Sequence, residues 1–232
     1  MKKLFVIMVA GAFASCNTGG GKTDVSLNTF EDSASYAVGR TIGSNLKADF
    51  EAQKVGDSFD RDLVIAGLSD ALNSDSAKVS KEEAQALVDR FFAKLQEQRA
   101  EENRAAGEAF LAENGAKAGV TTTESGLQYI VLKEGEGDAP TAADQVKVHY
   151  TGKLLNGEVF DSSIERNQPV DFYVRSVIPG WTEALQLMKP GAEYKLFIPS
   201  DLAYGEQGNP RGGIGPNEVL VFDVKLIDVM KQ

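Results

Sequence analysis

The 232-residue chain predicts an α+β protein in two parts, helical first and strand-rich second. Two observations carry this. Apolar residues recur at helical spacing as far as about residue 114, then alternate from about residue 127 onward. A single stretch breaks the alternation. Val177-Ile178-Pro179-Gly180-Trp181, continued by Leu185 and Met188, forms the i, i+4, i+7 face of a lone short helix. It holds the chain's only tryptophan. An indole at the first turn of such a helix can floor a cavity lined from the sheet, or it can fill core.

A hydrophobic content of 42% allows a sizeable core in one or two domains. The net charge of −10 leaves no electrostatic footprint for a nucleic-acid partner. One cysteine and one histidine exclude a disulfide framework and a Cys/His-rich zinc site, so neither metal nor cofactor is expected. His149 is the only imidazole base available, and its place on the polar side of a strand argues against a Ser-His-Asp site.

The chain starts with basic Met1-Lys2-Lys3 and an apolar run from Leu4 to Phe13, too short for a bilayer span of roughly 20 residues. This is the layout of a secretory signal over residues 1–15. Cys16 follows at once, an arrangement that resembles the bacterial lipobox, whose cysteine carries lipid as the first mature residue. Ordinary secretion, with Cys16 discarded or free, is the alternative. Removing residues 1–15 deletes Lys2 and Lys3, so the mature net charge becomes 22 − 34 = −12. Residues 16–28 are rich in Gly, Thr and Ser and predict a flexible tether.

Residues 29–118 predict a helical domain ending in a long connecting helix. Tyr36, Val38, Ile42 and Leu46 mark one helix; Leu63, Ile65, Leu68 and Leu72 mark a second, broken at Asn73-Ser74-Asp75-Ser76. Ser80 and Glu83 have the spacing of a capping box. The run from Lys81 to Asn114 contains no proline and stops before Gly115, giving a helix of roughly 50 Å. Leu87, Val88, Phe91, Phe92 and Leu95 give its first half an apolar side, whereas Gln96 to Arg104 is nearly all charged or amide. A helix polar all round predicts a solvent-crossing strut, with folding back onto the C-terminal domain as the alternative. So small a helical packet is marginal alone, which predicts a homodimer through residues near 30–95.

Ala116 to Glu124 reads as a linker, and residues 119–232 as the second domain. Leu127 to Leu132 is strand-like; Val146, Val148 and Tyr150 alternate with Lys147, His149 and Thr151. Asn156-Gly157 signals a hairpin, with Phe160 and Asp161 on the return strand. Val170, Phe172 and Val174 alternate next; Tyr194, Leu196 and Ile198 follow the Trp181 helix. Ser200 to Asn217 is a long glycine-rich loop, of a length usually functional, and Leu220, Phe222, Val224 and Leu226 form the last strand.

Taken in order, five stretches carry a resemblance: Val148-His149-Tyr150-Thr151-Gly152; Phe160-Asp161-Ser162-Ser163 after Gly157; Val177-Ile178 with Gly180-Trp181; Ala203-Tyr204-Gly205; and Leu220-Val221-Phe222-Asp223-Val224. Together, from about Thr121 to Val229, they are similar to an FKBP-type peptidyl-prolyl isomerase. The helical segment, with Ser35-Tyr36-Ala37 and Gly39 and the strut, resembles the dimeric Mip/FkpA-like bacterial branch. The resemblance implies an antiparallel half-barrel wrapped on one helix. A client's proline would sit over Trp181, walled by Tyr150, Phe160, Val177, Ile178, Tyr204, Ile214 and Phe222. Asp161, held by Tyr150 and Arg166, would meet the client's carbonyl; the Ile178 amide and Tyr204 hydroxyl would bond carbonyls of the bound segment. Val170, Ser176 and Gly213-Ile214-Gly215-Pro216 depart from the family's common residues, which bears on client preference and inhibitor affinity.

The chemistry stands without the resemblance. Rotation about an X-Pro bond is slow because amide resonance raises a barrier of roughly 18–20 kcal/mol. No bond breaks, so neither nucleophile nor metal is needed. A dry apolar pocket removes the water that favours the polar planar amide, and one shaped for the twisted amide lowers the barrier by differential binding. The expected partners are unfolded or proline-containing polypeptides, with the membrane reached through the lipid anchor. The expected place is the bacterial cell envelope, on the periplasmic side of the outer membrane. A non-catalytic dimeric chaperone of the envelope, or a surface-displayed host-interaction module, is the competing expectation.

Overall fold

The computed structural model describes residues 25–53, 55–56, 58–73 and 78–232. The signal, Cys16 and most of the tether lie outside the described residues, as does most of the Asn73–Ser76 break. Residues up to Lys81 form one unit and residues from Glu82 another.

The first unit holds α1 (Phe30–Ala52) and α2 (Arg61–Asn73). Its start is set by Thr29, which the sequence pattern does not single out. The Thr29 hydroxyl accepts the Asp32 amide at 3.0 Å and the Asp32 carboxylate accepts the Thr29 amide at 3.0 Å, a reciprocal capping box. Phe50 stacks on Phe59 at 4.8 Å. Neither helix contains a buried residue. Tyr36, Val38, Ile42, Leu63, Ile65, Leu68 and Leu72, the apolar faces expected from the sequence, are all exposed, Leu63 by 70% and Leu72 by 72%.

The second unit is an antiparallel sheet on a short helix, with a long helix on its outside. The long helix is α3 (Lys81–Gly115). Strands β1 (Thr121–Thr122), β2 (Gln128–Lys133), β3 (Gln145–Leu154), β4 (Val159–Ser162) and β5 (Val170–Tyr173) follow. Then come α4 (Pro179–Leu187), β6 (Glu193–Ile198) and β7 (Leu220–Met230). The order across the sheet is β1-β2-β6-β7-β3-β4, with β5 also on β3. β4 and β5 share one edge of β3, at residues 151–153 and 145–148, while β7 runs along the other edge over its full length. The expected linker therefore contributes a two-residue edge strand, β1, paired with β2.

Alternation along β3 is regular: Val146, Val148, Tyr150, Gly152 and Leu154 are buried and the residues between them half-buried. These inward side chains meet Leu196, Ile198, Leu220, Phe222, Val224 and Leu226 in a single core against α4. Helix α4 presents the expected face, with Trp181, Leu185 and Met188 at 4%, 1% and 0% exposure. It lies close on β6: a methyl at Gly180 would stand 2.4 Å from Ile198 Cγ2. Val174, expected as the end of a strand, still points inward but belongs to a 3-10 turn over Val174–Ser176. The Asn156-Gly157 hairpin closes through residues 155–158, with Gly157 at φ +87°.

The end of α3 departs from a free strut. Asn114, 4% exposed, donates to the Gln128 side chain at 2.9 Å, and Gln128 donates to the Leu111 carbonyl at 2.8 Å. The Phe110 and Phe197 rings lie 5.7 Å apart, and a methyl at Gly107 would stand 2.8 Å from Val219 Cγ2. Its last turns therefore cover the outer side of β2 and β6, the face opposite α4.

Candidate active site

The strand order brings distant residues into one cluster of aromatic rings. Trp181 stands at the third position of α4, after a helix start preset by Pro179. Tyr150 from β3, Phe172 from β5 and Phe222 from β7 each meet the indole edge to face, at centroid distances of 5.3, 5.8 and 5.2 Å. Phe160 from β4 packs on Phe222 at 5.5 Å, again edge to face. Such contacts match ring edges to ring faces and fix the ring orientations. Among the described residues the indole Nε1–H is the buried polar side-chain atom with no hydrogen-bond partner.

Polar groups sit at one margin of the rings. The Tyr150 hydroxyl donates to Asp161 Oδ2, and the Arg166 guanidinium donates to Asp161 Oδ1. Arg166 also donates to the Tyr150 hydroxyl at 3.2 Å and lies over the Tyr150 ring at 6.0 Å. Partial burial of Asp161 acts to raise its pKa, but the bonds from Tyr150 and Arg166 and the arginine charge outweigh it and hold the carboxyl below the usual range. Burial and the neighbouring carboxylate push the Tyr150 hydroxyl up.

Each expected site residue has a definite place. Tyr150, Phe160, Asp161, Arg166, Trp181 and Phe222 are joined by the contacts above. Val177 and Ile178 are half-buried against the core at the entrance to α4, and Ile214 is buried in it, 3% exposed. The Ile178 amide and the Tyr204 hydroxyl have no hydrogen-bond partner among the described residues. Tyr204 is 38% exposed on the Ser200–Asn217 loop.

Two members are not among the expected site residues. Phe172 reads there only as an alternating strand residue, yet its ring touches both Tyr150 and Trp181. Gly152 is the inward β3 position with no side chain, opposite Phe222 on β7 and Asp161 on β4. A methyl there would come within 2.6 Å of both the Phe160 and Phe222 rings. The signal for both is the two-residue period.

A recess of about 290 Å³ lies where the outward residues His149, Thr151, Glu193, Asp223 and Lys225 meet Leu132 and Ile164. Its charges are matched: Lys225 to Glu193 at 3.0 Å, and Lys153 and Lys195 to Asp223 at 3.3 and 3.5 Å. His149 Nδ1 lies 3.0 Å from the buried Ser163 hydroxyl. With its polar groups already partnered, this recess is a weaker candidate than the ring cluster around Trp181.

Comparison with known proteins agrees with this geometry. Residues 137–227 match the family described as FKBP-type peptidyl-prolyl cis-trans isomerase, and residues 31–131 match the domain amino-terminal to it. The chain is 44% identical over 211 residues to an FKBP-type peptidyl-prolyl cis-trans isomerase FkpA of Aeromonas hydrophila, covering 88% of this chain and 78% of that protein. It is 40% identical over 213 residues to an outer membrane protein MIP of Legionella longbeachae, covering 89% and 88%. The crystal structure of FkpA from Escherichia coli is similar to it with a TM-score of 0.70 and 38% identity, over 89% of this chain and 99% of that one.

Proposed function

Because this chain belongs to the FKBP-type peptidyl-prolyl cis-trans isomerases, enzymes that turn X-Pro bonds in folding polypeptides, we propose that the basin around Trp181 is where it does so. One observation carries the reading: Asp161 is held from two sides, by Tyr150 and Arg166, beside a floor and walls made of rings. The client's pyrrolidine ring packs on the Trp181 indole, between Tyr150, Phe160, Phe222 and the aliphatic Val177, Ile178 and Ile214. The Ile178 amide and the Tyr204 hydroxyl, both free to donate, fix the carbonyls on either side.

Rotation then follows from differential binding. In the planar amide, nitrogen lends electron density to the carbonyl, and water stabilises the charge on oxygen. Excluding water removes that stabilisation from the planar form. As the bond twists, the carbonyl becomes ketone-like and its carbon more electron-poor. The Asp161 carboxylate, fixed in place, attracts that carbon more in the twisted state than in the planar one. No group needs to gain or lose a proton.

The helical part supports a second copy as partner. Folded alone, α1 and α2 leave a row of large apolar side chains in water, and pairing with another chain buries it. The proposed assembly is a homodimer through residues 30–95, with residues 16–28 as tether and residues 119–232 as the isomerase domain. A lipid on Cys16 and a place in the cell envelope are proposed from the amino-terminal pattern and from the naming of one relative as an outer membrane protein. The match to an isomerase domain favours an enzyme over a non-catalytic chaperone.

The test is proline-limited refolding of a reporter protein by the full mature chain. Asp161→Ala is expected to lower kcat/KM by about tenfold, the scale of one charge-assisted contact of about 1.5 kcal/mol. Trp181→Ala should lose at least as much. Both variants should stay folded. Unchanged rates would remove these residues from the site; aggregation suppressed by wild type without faster refolding would point to a chaperone.

A further inference from the structure

We propose that α3 positions the client-facing loop Ser200–Asn217 through Asn103 and Asn217, so that the connecting helix is part of the apparatus that sets client affinity. This rests on the reading that Tyr204 and Ile214 of that loop face the client.

The contacts are specific and lie far apart in sequence. Asn103, half-buried on α3, donates its side-chain amide to the Pro216 carbonyl at 2.8 Å. Asn217 donates its side-chain amide in the opposite direction, to the Ala100 carbonyl at 3.1 Å. The two amides thus clasp one turn of α3 to the end of the loop. A glycine lies between them and the site: a methyl at Gly215 would stand 3.3 Å from the Asn103 amide nitrogen, so the loop backbone lies close against that side chain. One turn further along, Gly107 meets Val219 just past the loop.

The clasp reaches the site through the loop's own bonds. Asn217 is in the left-handed region at φ 54°, which asparagine tolerates better than most residues. In that conformation its backbone amide donates to the Gly205 carbonyl at 2.9 Å, next to Tyr204. On the other branch, Ile214 and Asn209 exchange backbone bonds at 2.9 and 3.0 Å, two residues before Pro216. Both walls are therefore one or two bonded steps from α3. Three 3-10 turns and the Asn209–Ile214 bridge give the loop local order, but its placement against the sheet rests on few ties, and each lost restraint raises the entropic cost of binding.

The experiment uses the full mature chain and a proline peptide assay run well below each variant's melting temperature. Asn103→Ala removes the donor. Asn103→Asp keeps the shape and sets a carboxylate against the Pro216 carbonyl. Asn217→Gly keeps the left-handed backbone and removes the tie to Ala100. Each is expected to raise KM about threefold to tenfold with kcat within about twofold, and Asn103→Asp at least as much as Asn103→Ala. Melting followed by Trp181 fluorescence should shift little. Wild-type constants in all three variants, or a wild-type Asn103→Asp beside a weakened Asn103→Ala, overturn the proposal. Tyr204→Ala is assayed alongside: if it too behaves as wild type, the reading of the loop as a client wall is what has failed, whereas a weakened Tyr204→Ala with intact clasp variants refutes only the clasp.

Discussion

Gly152 faces Phe222 across the β3–β7 ladder, and the missing side chain of the one makes room for the ring of the other. Gly152→Ala should push Phe160 and Phe222 into the basin. Overpacking of this kind costs about 1–3 kcal/mol. The expected kinetic result is a loss of about tenfold or more in kcat/KM, larger than the loss of stability explains. Wild-type catalysis in this variant would show that the rings swing aside freely.

The carboxylate of the proposed site is paired with an arginine. The Asp161 pKa is depressed, so its carboxylate remains charged below the ordinary value of about 3.9, while Tyr150 stays protonated beyond about 10. Isomerisation should therefore be independent of pH from about 5 to 9 and decline only in acid, as Asp161 takes up a proton. The same group favours the folded state above its unfolded pKa and ceases to do so as pH falls through the lower folded value. A bell-shaped profile centred between about 6 and 8 would point to a different acid or base.

Asp144 ties the carboxyl end of the chain to the turn before β3. Its carboxylate, 2% exposed, accepts the Thr141 amide at 2.7 Å, the Gln232 amide at 3.0 Å and the Lys231 ammonium at 3.4 Å. The bond from the Thr141 amide is the largest cause of a pKa lowered to about 2. The stabilisation is complete above the unfolded value of about 3.9 and is lost as pH falls through about 2. Thermal melts of Asp144→Asn should fall below wild type at pH 7 and converge with it near pH 2. A gap that does not change with pH would mean that the ionised form is not what matters.

The apolar faces of α1 and α2 should be covered in solution by a second chain. Sedimentation of residues 16–232 at micromolar concentration is expected to give a dimer, and Ile42→Asp to weaken it by placing a charge on the buried face. A monomer for the wild type would leave those faces to another partner.

Much of the second unit is legible in the sequence. The alternation of Val146, Val148 and Tyr150, and the spacing of Trp181, Leu185 and Met188, each report burial directly, because a side chain's direction in a strand or helix follows from backbone period alone. The same period places Phe172 and Gly152 inward without saying what they meet. The docking of α3 is hidden for a different reason. Its contact stripe is Ala100, Asn103, Gly107, Phe110, Leu111 and Asn114, in which small and amide residues that bind through hydrogen bonds and close backbone approach outnumber the apolar ones. A hydrophobic pattern does not detect such a face, so the helix reads as polar all round.

From the order of its residues this protein's class and chemistry follow, and the resemblance its motifs carry implies most of the candidate site, Phe172 and the space at Gly152 excepted, because those motifs are local. What only the tertiary structure decided is the packing around those members. The contact of Phe172 with Tyr150 and Trp181, the room left by Gly152, and the grip of α3 on the loop all depend on strands and helices far apart in the chain, and no local period encodes the distance between them.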